Sequence, residues 1–167
     1  MVARVFLDAL DSATDIEVKA FLMRQLQWIG KQEIIAPLSR YLNDDRLCEP
    51  AAQALSHLPA RSVTRTFIEA LARASGPSRV TLLVALGKLR EKDAAEVLRS
   101  YARSEDEEVR EAALFALADT GDPSVADFLA EAIQDASPAV REKAMSLHLL
   151  CAQRLAEMGR ERQSVQL

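Results

Sequence analysis

The chain has 167 residues, enough for one domain with a sizeable core. Hydrophobic residues make up 49% of it and aromatics only 5%, so the apolar mass is Ala, Leu and Val, which suits close-packed helices better than a sheet. A formal net charge of −4, with no dense Lys/Arg cluster, argues against a nucleic-acid partner, whose phosphates would have to be neutralised.

Residues 1–10 predict a helix with Val5, Phe6, Ala9 and Leu10 on one stripe. Asp11 follows at once, and without a basic n-region or cleavage site no signal peptide is expected, nor any membrane-spanning segment. The segment reads as the second helix of a pair that lacks its first. It is either an N-terminal cap or a piece cut from a longer protein.

From there the chain repeats. A Leu recurs late in each first helix, at Leu26, Leu55, Leu86 and Leu117, with spacings of 29, 31 and 31; His148 takes the fifth slot. Eight residues earlier stand Val18, Leu47, Ser78, Val109 and Val140, and three residues later Ile29, Leu58, Leu89, Thr120 and Cys151. The next position holds Gly30, Pro59, Arg90, Gly121 and Ala152. Second helices share Leu38, Phe67, Leu98 and Leu129 in one slot and Leu42, Leu71, Ala102 and Ile133 in another.

Residues 107–135 are the most regular copy. Val109, Ala113, Leu117 and Thr120 form a helical stripe that Ala112, Leu114 and Ala116 widen. Gly121 is placed to end that helix in the left-handed conformation. Asp122 is placed to cap the next, with Pro123 in its first turn. Val125, Phe128, Leu129, Ala132 and Ile133 face inward there, while Asp127, Glu131 and Gln134 face out. Residues 135–138 stop that helix and cap the one after. Two amphipathic helices of this size bury their apolar faces only when copies stack on either side.

Two segments depart from the pattern. Residues 79–89 are apolar almost all round, because Val80 and Val84 stand where other copies have Gln53, Glu111 or Glu142; deep packing is expected there, the alternative being an exposed apolar patch on the outer face. Residues 138–158 lack the Gly-Asp turn and read as one long helix stopped by Gly159. The expected architecture is all-α: a solenoid of four to five helix-turn-helix repeats, with a half repeat at the N-terminus and a long C-terminal helix. Residues 1–159 form the single solenoid, and residues 160–167 are a polar tail expected to be disordered.

The Leu ladder, Val-Arg at 109–110 and 140–141, Val-Lys at 18–19 and Gly121-Asp122-Pro123 resemble HEAT repeats, above all the short bacterial kind of phycobilin-lyase-like proteins. The resemblance covers nearly the whole chain. Residues 18–58 are also similar to HEAT segments of large, exported bacterial multidomain proteins. The family implies that the basic residue after Val joins a polar ladder between repeats. Lys19, Arg79, Arg110 and Arg141 fit that slot; Cys48 departs from it, so the ladder should break in the second copy.

No catalytic pattern stands out. HEAT-like iron hydroxylases use His-Glu pairs, but here both histidines precede leucine, at His57-Leu58 and His148-Leu149, three repeats apart. HExxH, paired CxxC, P-loop and GxSxG motifs are absent. The acidic run 105–108 reads as a solvated loop at a helix N-terminus. Cys48 and Cys151 lie in distant repeats, beyond disulfide reach. The chain is therefore expected to be no enzyme and to hold no cofactor or metal.

Candidate partner-binding residues come from two places. Slots expected on the inner, second-helix face read Ala36, Arg65, Glu96, Asp127 and Arg40, Glu69, Ser100, Glu131, drifting from basic to acidic, which suits a partner with charges of both signs. Trp28 is a lone indole on the mostly polar row Trp28, His57, Lys88, Asp119, Leu150, either a binding hot spot or a ring lying over the turn to cover the repeat junction. The expected function is a non-catalytic scaffold for a protein or peptide partner, with neither nucleic acid nor membrane. The alternatives are a structural spacer in a larger, exported bacterial protein and a bilin lyase-like accessory protein. The chain as given is cytoplasmic by default, and periplasmic or exported if excised from such a protein.

Overall fold

The computed structural model describes residues 2–133 and 138–166. Its helices are α1 (Val2–Ser12), α2 (Ile16–Ile29), a 3-10 turn (Gln32–Ile34) leading into α3 (Ile35–Ser39), α4 (Cys48–Leu55), α5 (Ala60–Leu71), α6 (Gly76–Leu89), α7 (Lys92–Tyr101), α8 (Glu107–Thr120), α9 (Val125–Ile133), α10 (Pro138–Glu157) and α11 (Glu161–Gln166). The first helices form one layer, in which α2 packs on α4, α4 on α6, α6 on α8 and α8 on α10. The second helices form another. There α3 packs on α5 and α5 on α7, and each of α1, α5, α7 and α9 also packs on the first helix that follows it. This is the all-α repeat array that the Leu ladder predicts.

The ladder forms the seam between the layers. Leu26, Leu55, Leu86 and Leu117 are fully buried, as are Leu38, Phe67 and Leu98 from the second helices. Each such side chain contributes about 1.5–3 kcal/mol relative to exposure. Helix starts repeat too. Asp15 accepts the backbone N–H groups of Glu17 and Val18, and Asp106 those of Glu108 and Val109. Asp44 does the same for Arg46 and Leu47 ahead of α4. These aspartates share one repeat slot, and each satisfies donors that a helix N-terminus leaves unpaired.

The turn slot is less uniform than the sequence suggests. Gly121 is left-handed at φ 68, as its position predicts, but Arg90 takes the same conformation at φ 52 despite its Cβ. Gly30 is extended instead. Its missing side chain serves a close approach, since a Cβ there would stand 2.6 Å from Ile34 Cγ2.

The basic slot pins loops rather than carboxylates. Arg79 Nε donates to Ala74 O at 2.9 Å and Arg110 Nη1 to Ser104 O at 2.8 Å, each tying a first helix to the loop left by the preceding second helix. Lys19 lies over the Tyr41 ring at 5.5 Å. In the second copy Cys48 is buried, with Sγ 3.7 Å from Ser78 O, and Ser78 Oγ donates to Asp45.

At the C-terminus α10 runs as one long helix to Glu157. Gly159, left-handed at φ 72, turns the chain back, and α11 packs on α10 with Ser164 Oγ donating to Ala152 O at 2.8 Å. The expected stop and cap at 135–137 fall outside the described residues.

Candidate interaction surface

Between α4 and α6, on the outer side of the first-helix layer, lies a groove of about 500 Å³. Its floor is Ala52, Val80, Thr81, Val84 and Ala85; its rim is Glu49, Gln53, Ser56, His57 and Lys88. The departures at Val80 and Val84 therefore have two consequences. Leu82, Leu83 and Leu86 carry α6 into the core, while the half-buried Val80 and Val84 give the groove its apolar base. The two helices lie in register, so Glu49 marks the end near Val80, and His57 and Lys88 mark the other. From residue 80 to 88 that span is about 12 Å at 1.5 Å per residue.

Trp28 stands beside the His57 end. It is 73% exposed, and its ring centroid is 5.6 Å from that of His57 with the planes tilted by 57°. His57 is anchored in turn, with Nδ1 3.0 Å from Gln53 O. The fourth member of the row is closed off. Asp119 is buried and accepts from Arg154 Nε at 2.8 Å. Arg154 Nη1 donates to Glu157 at 2.9 Å, and Arg90 reaches the same carboxylate at 3.4 Å. The hydrogen bond from Arg154 holds the Glu157 carboxyl below the usual carboxylate range. The open part of the row is thus Trp28, His57 and Lys88.

The charged second-helix candidates lie elsewhere and do not converge with Trp28. Arg40 bonds Asp11 at 2.9 Å, and Arg65 bonds Glu69 at 2.8 Å, one turn away on α5. All four side chains are exposed, and such pairs contribute about 0–1 kcal/mol. Arg65 lines a shallow cleft with Arg61, Glu91 and Asp93; Asp127 lines another with Arg99, Arg103 and Phe128. Glu96 is exposed on α7. The side chain of Glu131 falls outside the described residues.

Sequence reasoning found Trp28, His57 and Lys88 as one row, and Val80 and Val84 as oddities, but not that His57, Lys88, Val80 and Val84 border one groove that Trp28 approaches through His57. The signal was only partly present, since Lys88 shares α6 with Val80 and Val84, whereas His57 follows α4 and Trp28 lies on α2. It also missed a cleft of about 480 Å³ at the turns, where Arg90, Lys92, Arg99 and Arg160 gather around Gly121 and Asp122. Asp122 pairs with Arg99 there. His148 is half-buried, consistent with a slot at the end of the stack.

Both cysteines are free and buried, and burial pushes each thiol up to about 11. Among the described residues, no group of three or more His, Cys, Asp or Glu side chains could hold a metal ion, and no helix is long and apolar enough to cross a membrane. No curated protein matches the chain. The family model for HEAT repeats matches residues 64–148, about half of the chain and the part that contains α6, α7, α8 and α9. HEAT repeats generally mediate protein interactions and are typically not enzymes. With its repeat register, its two helical layers and this match, the chain belongs to the HEAT-repeat family.

Proposed function

We propose that the chain is a non-catalytic binding module that takes a segment of a partner protein into the groove between α4 and α6. The observation that carries this reading is the exposed indole of Trp28 set against His57, a residue on the rim of the apolar groove. A large, rigid aromatic group beside a desolvated floor is the usual make-up of a binding hot spot. The rim is bipolar, with Glu49 at one end and Lys88 and His57 at the other. It favours a segment with one or two apolar side chains, a basic residue towards Glu49 and an acidic residue towards Lys88. The stacked helices hold the groove in place before binding, so little ordering entropy is lost.

The second-helix residues Arg40, Arg65, Glu69, Glu96, Asp127 and Glu131 are a secondary contact surface in this scheme. Arg40 and Arg65 are already neutralised by neighbours, so they orient a partner more than they hold it.

A displayed library of random peptides tests the reading. Peptides selected on the wild-type chain and counter-selected on Trp28→Ala should carry the basic–apolar–acidic pattern and should shift the Trp28 emission on titration. Selected peptides that bind Trp28→Ala and Val84→Glu as tightly as wild type would refute it.

A further inference from the structure

Three successive first helices end in a left-handed residue: Arg90 after α6 at φ 52, Gly121 after α8 at φ 68 and Gly159 after α10 at φ 72. Their turns stand side by side along the edge where first helices pass into second helices, and together they line the cleft of about 480 Å³. Stacking of repeats covers the ends of an array and leaves this edge open. Two of the three residues are glycines, which take the conformation freely; Arg90 holds it against its own Cβ. Strain of that kind persists only where the surroundings enforce it, and it collects at functional sites.

Positive charge gathers at the same place. Arg90, Lys92, Arg99 and Arg160 line the cleft against two carboxylates, Glu91 and Asp122, in a chain whose net charge is −4. Asp122 is buried and already engaged, with Oδ2 paired to Arg99 and Oδ1 accepting the backbone N–H of Ser124 at 2.9 Å. Arg90 reaches Glu157 at 3.4 Å, while Arg154 donates to the same oxygen at 2.9 Å, so Glu157 stays paired when Arg90 turns away. Lys92 and Arg160 are exposed and carry no ion pair among the described residues. Lys92 also opens α7, adding the positive end of a ten-residue helix whose N-cap, Glu91, makes no side-chain bond to it.

We infer that this cleft binds a phosphoryl dianion, held between Lys92 of the first turn and Arg160 of the third, with Arg90 closing on it. A single carboxylate in this region is matched by a single arginine, as Asp122 is by Arg99. Three further cations around one cleft match a ligand with two charges and three strong acceptor oxygens. The cleft shares no lining residue with the groove between α4 and α6, so the inference stands or falls apart from the peptide-binding reading.

Amide chemical shifts of the full chain test it, at constant ionic strength and about pH 7.5, where a phosphoryl group is largely a dianion. The probes are inorganic phosphate, a short Gly-Ser peptide phosphorylated on its one serine, and the same peptide without phosphate. The amides of Lys92, Gly121 and Arg160 should shift and saturate with both phosphorylated probes, and the indole N–H of Trp28 should not move. A phosphopeptide that binds tenfold or more tighter than phosphate would assign the dianion to a modified protein segment; equal affinities would assign it to a free phosphate ester. Lys92→Gln and Arg160→Gln should each weaken binding about tenfold, as loss of a charged hydrogen bond does, with melting midpoints at wild-type values because both sites are exposed. Arg90→Gly should also weaken binding without lowering the midpoint, since it relieves the left-handed strain. Absence of saturable shifts with either phosphorylated probe would overturn the inference. So would shifts reproduced by chloride or by the unphosphorylated peptide, or affinity unchanged in both Lys92→Gln and Arg160→Gln.

Discussion

The indole of Trp28 and the imidazole of His57 meet across the first turn between repeats, their centroids 5.6 Å apart, with the indole left open to solvent. The contact belongs to the outer surface and not to the core. Trp28 should therefore emit as a solvent-exposed indole in the free chain and be quenched readily by acrylamide. Trp28→Ala should change stability by only about 0.5 kcal/mol, as exposed substitutions do. A blue-shifted, quencher-resistant emission would remove Trp28 from the binding surface.

Leu86 and Leu117 lie fully buried on the seam between the helical layers. Leu86→Ala and Leu117→Ala should each cost about 2–5 kcal/mol in urea unfolding. Unfolding midpoints unchanged by either substitution would refute the repeat register.

Gly87 sets the separation of α6 and α8. An added methyl would meet Cα, Cβ and O of Ala116 at 2.7, 2.8 and 2.9 Å, and two of those three atoms belong to the backbone of a packed helix. Gly→Ala in a helix ordinarily gains about 1 kcal/mol. Overpacking typically costs about 1–3 kcal/mol and should prevail here. Gly87→Ala should therefore lower the unfolding midpoint, and a raised midpoint would show that the two helices separate easily.

Burial holds the thiols of Cys48 and Cys151 up at about 11, against an ordinary value of 9.0. The sign follows from linkage. Below pH 9 both thiols stay protonated, folded or unfolded. Between pH 9 and 11 only the unfolded chain loses those protons, so stability falls as pH rises, by on the order of 2 kcal/mol per thiol. Thermal melts of wild type and Cys151→Ala across that window check this, and the variant should show the shallower fall. Neither thiol should react with iodoacetamide at pH 8 until the chain unfolds.

The fold was legible because its determinants recur. Leu26, Leu55, Leu86 and Leu117 repeat at a nearly constant interval, and each must be buried, so the register of the stack follows from position alone. The ends of the chain were less legible. α11 forms because Gly159 reverses the chain and Ser164 reaches Ala152, a tertiary contact with no local pattern. Arg90 takes a left-handed turn that its side chain disfavours, and only the repeat position pointed there. The groove was half legible. Val80, Val84 and Trp28 stood out as exceptions to their slots, but that Val80 and Val84 floor a concavity depends on how α4 and α6 lie side by side, and Trp28 approaches it only through His57. The charged second-helix row read as one surface in sequence, while in space Arg40 and Arg65 are taken up by separate ion pairs.

The most direct measurement is calorimetric titration of a peptide selected on the wild-type chain against Trp28→Ala, Val84→Glu and Arg65→Ala. Binding in the groove between α4 and α6 predicts that Trp28→Ala and Val84→Glu each lose about 30-fold in affinity or more, about 2 kcal/mol, with melting midpoints close to wild type. Arg65→Ala should stay within about twofold of wild type. Affinity kept by Trp28→Ala and Val84→Glu but lost in Arg65→Ala would contradict the account and place the partner on the second helices.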